Sequence, residues 1–129
     1  MKYDEFLAVT RDRGEYRSQA EADRVARVVL GALGSRLTRD EAEDFGSQLP
    51  EPLADAPLSE SLRATRWNVD EFLQHVSSQL PDADTDAARR GARAVLSTVA
   101  DSIDGGQLNH LLTQLPSSYA DLFGRARPA

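Results

Sequence analysis

Apolar side chains recur along this chain at steps of three and four residues, the period of a helix buried along one side. Tyr3, Phe6, Leu7 and Thr10 fall on one face of a first predicted helix, over about residues 3–13. A second, over about residues 18–37, carries Ala22, Val25, Ala26, Val29, Leu33 and Leu37 as its inward stripe. A third opens at Thr38 and runs into Leu49-Pro50, where the proline disfavours helix at the residue before it. The pattern then begins again. Val69, Phe72, Leu73 and Val76 mark a fourth helix, and Ala88, Ala92, Val95, Val99 and Ile103 a fifth, over about residues 84–103. A sixth starts at Asp104 and runs into Leu115-Pro116. No alternating run of β-branched residues occurs, so no strand is predicted.

Polar residues mark where these helices begin. Ser18, Thr38 and Asn68 are each followed three residues later by a glutamate (Glu21, Glu41 and Glu71), the sequence form of a capping box. Asp104 and Gln107 have the same spacing. Trp67 and Phe72 flank Asn68 at the two positions of a hydrophobic staple, a structural role for the only tryptophan. A short amphipathic piece is expected after each Leu-Pro, with Leu53 in the first and Tyr119, Leu122 and Phe123 in the second. Residues 57–66 read as a largely polar linker that can hold a short helical turn.

A shift of 66 residues lays the chain on itself without a gap. Tyr3-Asp4-Glu5-Phe6-Leu7 meets Val69-Asp70-Glu71-Phe72-Leu73, Ala26-Arg27-Val28-Val29-Leu30 meets Ala92-Arg93-Ala94-Val95-Leu96, and Gln48-Leu49-Pro50 meets Gln114-Leu115-Pro116. The expected fold is therefore all-α: a six-helix bundle from two tandem three-helix repeats with pseudo-twofold symmetry, folded as a single domain over residues 1–129. Repeat one covers about residues 1–56, the linker about 57–66 and repeat two about 67–124. Gly31 and Gly34 lie within the second helix, and the shift carries them to Ser97 and Ala100. Small residues at all four places predict that the second and fifth helices cross there; the alternative is that Gly34 loosens the end of the second helix before Leu37.

Charge narrows the choice of partners. A formal net charge of −6 and a pI near 4.8 make the chain acidic, which weighs against nucleic acid and against anionic membrane surfaces. The absence of cysteine removes disulfides, thiolate metal sites and cysteine nucleophiles. The first residues lack the apolar segment of a signal peptide, and the longest apolar run, around Val28 to Gly34, is too short to span a bilayer. A soluble, cytoplasmic protein is expected.

The chain is poor in candidate chemistry. Asp4, Glu5, Arg24, Arg27 and Asp55 keep their charge at the shifted positions Asp70, Glu71, Arg90, Arg93 and Asp121. The acids suit first turns of helices, and Asp23→Arg27 and Asp86→Arg90 have the spacing of helix-surface ion pairs. Arg24, Arg27, Arg90 and Arg93 are also the candidate ligand-binding residues, as a paired anion or peptide site. Gln48 and Gln114 are expected to satisfy carbonyls at helix ends. Gln107-Leu108-Asn109-His110 has the spacing of a Glu-x-x-His site but the wrong first ligand, and Glu71, four before His75, already caps a helix. Asp82-Ala83-Asp84-Thr85-Asp86 begins like a calcium loop, yet Ala87 and Arg93 stand where that loop needs glycine and glutamate. No metal, no cofactor and no catalytic residue is expected, nor is a nucleophile elbow or a phosphate-cradling glycine loop present.

The Tyr-Asp-Glu-Phe-Leu opening, the Ala-Arg-x-Val-Leu segment and the Gln-Leu-Pro ending resemble the bacterial family catalogued as domain of unknown function 2267. The likeness covers both copies. It implies a small all-helical protein and brings no catalytic residues with it. The expected function is a non-enzymatic protein-interaction module acting on an unknown protein partner or by self-association. The alternative is a small-molecule or anion-binding protein, enzymatic or not, with a pocket between the two repeats. A convergent arginine pair over a concave apolar pocket would favour the alternative, and arginines splayed on a convex face and paired to carboxylates would remove it.

Overall fold

A computed structural model describes residues 1–125, and residues 126–129 of the expected domain lie outside the described residues. The helices are α1 (Tyr3–Gly14), α2 (Gln19–Gly34), α3 (Arg39–Ser47), α4 (Val69–Gln79), α5 (Thr85–Ser102) and α6 (Gly105–Thr113). Short 3-10 turns cover Glu51–Leu53, Ala56–Leu58, Ser61–Arg63 and Ser117–Phe123, and there is no strand among the described residues.

The helix starts follow from local chemistry. Asn68 Oδ1 accepts from the Glu71 amide at 2.8 Å while Glu71 Oε1 accepts from the Asn68 amide at 3.1 Å, a complete capping box. Thr38 and Glu41 form another, at 3.1 and 2.8 Å. Ser18 accepts from Glu21, Asp84 from Ala87 and Asp104 from Gln107. Each such cap is worth about 1 kcal/mol. Trp67, expected to staple onto Phe72, stacks on the His75 ring at a centroid distance of 4.5 Å, while Phe72 meets Tyr119 edge-on at 5.4 Å.

Helix α2 stops at Gly34, before the expected Leu37. The Ser35 carbonyl accepts from the Thr65 amide at 2.8 Å, so it is taken by the linker and not by a further helical turn. Arg36 and Leu37 then close tight bonds back to Leu33 and Gly34.

The core lies between the two long helices and the helices laid across them. Phe6, Leu30, Leu33, Leu53, Phe72 and Leu96 are completely buried. Helix α1 packs on α5 as well as on α2, and α4 packs on α2 as well as on α5. Arg13, near the end of α1, ties the first arrangement from outside, donating to Ser97 at 2.9 Å and to Asp101 at 2.6 Å.

The expected crossing at the small residues needs correction. The space beside Gly31 and Gly34 is filled by the stretch after the first Leu-Pro, not by α5. A Cβ on Gly34 would lie 1.8 Å from the Pro57 carbonyl oxygen, and one on Gly31 would lie 2.6 Å from Ser59 Oγ. Ser97 faces Arg13, with its Cβ 4.0 Å from where a Cβ on Gly124 would be. Helices α2 and α5 approach instead at Val25 and Gly91. A Cβ added to Gly91 would meet Val25 Cγ1 at 3.0 Å.

Candidate functional site

The α2–α5 approach sets up a pocket of about 310 Å³. Arg24 and Val25 enter from α2, Arg90 from α5, Tyr16 from the α1–α2 turn, and Leu80 and Pro81 from the α4–α5 turn. The ring of Tyr16 is positioned by two glycines. A Cβ on Gly14 would overlap the ring at 2.1 Å, and one on Gly91 would lie 2.9 Å from the hydroxyl. Burial raises the pKa of this half-buried phenol, with Arg90 pulling the other way, so the hydroxyl is a neutral donor at physiological pH.

Arg24 and Arg90 thus share one concavity whose wall is partly apolar. Neither has an ion-pair partner among the described residues. Two acids, Glu21 and Asp82, also line the pocket and supply acceptors beside the guanidinium groups. Asp82 sits at φ 56°, a left-handed conformation tolerated best by Asp, Asn and Gly, in the turn that forms this wall. Chemically the pocket offers two forked, permanently charged donors, two carboxylates, a phenol and an aliphatic surface. That set suits a small anion with an apolar body.

The other two candidate arginines lie elsewhere. Arg27 Nε donates to Asp23 at 2.9 Å, and Asp23 also accepts from the Tyr3 hydroxyl at 2.6 Å. The hydrogen bond to Asp23 raises the pKa of both Arg27 and Tyr3. Arg27 borders a separate groove with Val28, Ser59, Glu60 and Gln79. Arg93 lines a third concavity, of about 470 Å³, together with Arg13, Arg89 and Arg90. The predicted Asp23–Arg27 pair therefore forms, whereas Asp86 and Arg90 make no ion pair. Arg89, whose nearest acid is Asp70 at 4.0 Å, was not singled out by the sequence, and neither was Tyr16.

The remaining candidates have structural partners. His75 Nε2 pairs with Glu60 Oε1 at 2.9 Å, Glu60 holds Arg63 at 2.6 Å, and Arg63 lies over the Trp67 ring. These four side chains clasp the linker to α4. Gln48 and Gln114 bond to side chains one turn back, Asp44 at 3.3 Å and His110 at 3.0 Å, and not to the carbonyls expected for them. No cluster of three or more His, Cys, Asp or Glu placed to hold a metal ion occurs among the described residues. None of their helices is long and apolar enough to cross a membrane.

Fold and site together define an all-helical protein with an arginine-lined pocket between its two longest helices. The chain belongs to the family described as Uncharacterized conserved protein (DUF2267), which matches residues 3–122. No curated protein matches the chain.

Proposed function

We propose that this protein binds a small organic anion in the pocket between α2 and α5, with Arg24 and Arg90 gripping the anionic group and Tyr16, Val25, Leu80 and Pro81 receiving the apolar body. The observation that carries this reading is the convergence of two arginines without ion-pair partners on one partly apolar concavity. At about 310 Å³ it lies at the small end of ligand pockets.

The same reading includes a duplicated architecture: a six-helix bundle of two three-helix units about an approximate twofold axis. Three features support it. All six helices begin in pairs 66 residues apart, as with Tyr3 and Val69. Val25 and Gly91, also 66 apart, meet each other, as equivalent residues do on a twofold axis. The narrow groove between α3 and α6 is bounded by Glu41 and Gln107, Asp44 and His110, Phe45 and Leu111, and Gln48 and Gln114, four further equivalent pairs. The pocket holding Arg24 and Arg90 then lies on the axis, at the junction of the repeats.

The protein-interaction reading has less support. The exposed large hydrophobic residues among the described ones, Met1 and Leu62, are the surface on which it would rest.

Benzoate, a small carboxylate with an apolar body, tests the proposal. Titrated into the 15N-labelled protein at millimolar concentration, it should give saturable shifts at the amides of Tyr16, Arg24, Ala83 and Arg90. Arg24→Ala and Arg90→Ala should each remove those shifts and leave the rest of the spectrum in place. Shifts that persist in both variants, or that never saturate, would end the reading.

A further inference from the structure

We propose that the groove between α1 and α5 is a phosphoryl-binding subsite, so that the ligand of the junction pocket is a small organic phosphate. The second half of this statement rests on the junction-pocket reading; the first half stands on the groove alone.

The groove, of about 470 Å³, gathers Arg13 from α1 with Arg89, Arg90, Arg93 and Ser97 from α5. Arg89, Arg93 and Ser97 lie at four-residue steps along α5, and Arg90 is three before Arg93, so all four border one side of the helix. Arg13 is held in place by Ser97 Oγ at 2.9 Å and Asp101 at 2.6 Å. Arg90 and Arg93 have no ion-pair partner among the described residues, and Asp86 is the acid that lines the groove. Four guanidinium groups are thus concentrated at one place on a chain of net charge −6.

The groove that the 66-residue shift makes equivalent shows what folding alone requires there. Arg27 and Val28 take the places of Arg93 and Ala94 in it, and Gln79 stands opposite them where the α1–α5 groove has Arg13. Asp23 occupies the position of Arg89 and closes on Arg27 at 2.9 Å. In the second copy that ion pair is replaced by Arg89 and Arg93, like charges four apart, which destabilise a helix. The fold does not require this reversal, because the first copy forms the corresponding groove without it. A bound dianion offsets the repulsion.

Oxygen count selects phosphoryl over carboxylate. Each guanidinium presents five N–H donors in a fixed fork, and the roughly four lone-pair sites of a carboxylate are filled by two such forks, fewer than Arg89, Arg90 and Arg93 present. A phosphoryl group offers three oxygens and close to two charges at neutral pH. Arg90 lines both the groove and the junction pocket, so the two concavities adjoin. From Arg90 to Ser97 is seven residues of helix, roughly 10 Å. That length suits a small phosphate ester whose organic part lies in the junction pocket and carries the second anionic group that Arg24 and Arg90 hold there.

The test uses the full chain and inorganic phosphate, with acetate as the comparison anion at matched ionic strength. Phosphate should shift the amides of Arg13, Arg89, Arg93 and Ser97 and saturate at a concentration at least about tenfold below acetate. Arg89→Asp installs the residue of the first copy and gives Arg93 an ion-pair partner in exchange for the 4.0 Å contact of Arg89 with the exposed Asp70, so it should fold about as well as the parent. It should weaken phosphate at least about tenfold and leave benzoate at the junction pocket within about twofold. Equal saturation by phosphate and acetate, or an Arg89→Asp protein that keeps its phosphate response, would overturn the subsite. A benzoate failure alongside phosphate success would remove the junction pocket alone and leave the subsite standing.

Discussion

The Tyr119 hydroxyl donates to the Trp67 backbone carbonyl across 2.7 Å, from a side chain with no solvent exposure. It joins the 3-10 turn after the second Leu-Pro to the entry of α4. Burial pushes this phenol's pKa up to about 12. An exposed tyrosine in the unfolded chain loses its proton near pH 10. Below that pH both states are protonated and the full stability is present. Between about pH 10 and 12 the unfolded chain ionises and the folded one does not, so stability is lost as pH rises. The expected loss is about 2–3 kcal/mol across that window, read by urea denaturation at several pH values. Tyr3 and Tyr16 act in the same direction, so Tyr119's share is the difference from Tyr119→Phe. That variant should be about 1 kcal/mol less stable at neutral pH and flatter in the alkaline range. Parallel pH curves for the two proteins would refute the assignment.

Gly34 and Gly106 should respond oppositely to alanine. At Gly34 the added methyl would collide with the backbone of Pro57, which cannot rotate away as a side chain does. Gly34→Ala should cost about 3 kcal/mol. At Gly106, in the first turn of α6, a Cβ meets nothing closer than Asp104 Oδ1 at 3.5 Å. Gly106→Ala should stabilise by about 0.5 kcal/mol through the loss of unfolded-state freedom. Thermal melts of both variants read the contrast, and a Gly34→Ala protein as stable as the parent would mean that the linker does not pack where it is described.

Thr10 is completely buried in α1 and its hydroxyl has no hydrogen-bond partner among the described residues. The position 66 residues on is Val76, equally buried. A buried hydroxyl without a partner forfeits its hydration with nothing in return. Thr10→Val keeps the shape and removes that cost, so it should stabilise the protein by about 1 kcal/mol, seen as a higher urea midpoint with an unchanged slope. A lower midpoint would show that the hydroxyl has a partner in solution.

These sites differ in how far the sequence announces them. Helix starts are legible because a cap is local: Asn68 and Glu71 find each other within one turn whatever surrounds them. The Asp23–Arg27 pair is legible for the same reason. The small residues of α2 announce that something comes close, yet carry no mark of what it is, and it proves to be Pro57 and Ser59. The 66-residue shift singles out Arg24 and Arg90 as a pair, but it singles out Arg27 and Arg93 equally. Only the fold separates the arginines sharing a pocket from those facing apart. Tyr16 escapes notice because its place depends on Gly14 and Gly91, which lie in helices far apart in sequence. The sharpest overlooked signal is Arg89, which stands at the position of Asp23 in the shifted chain.

The packing of α1 on α5 and of α4 on α2 leads to a last prediction, about the two halves of the chain. Residues 1–66 on their own would leave α1 without the α5 surface, and Arg13 without Ser97 and Asp101. A piece of that size also buries a low fraction of its surface. Separately produced fragments 1–66 and 67–129 should therefore show weak, non-cooperative helical signal at micromolar concentration. Mixed, they should regain the circular dichroism of the whole chain and sediment as a one-to-one complex. Packing that kept each α1-type helix on its own long helix would give a different result: each fragment alone would melt cooperatively as a monomer. Sedimentation and thermal melts of the separate fragments decide between the two arrangements, because only interleaved halves need each other to fold.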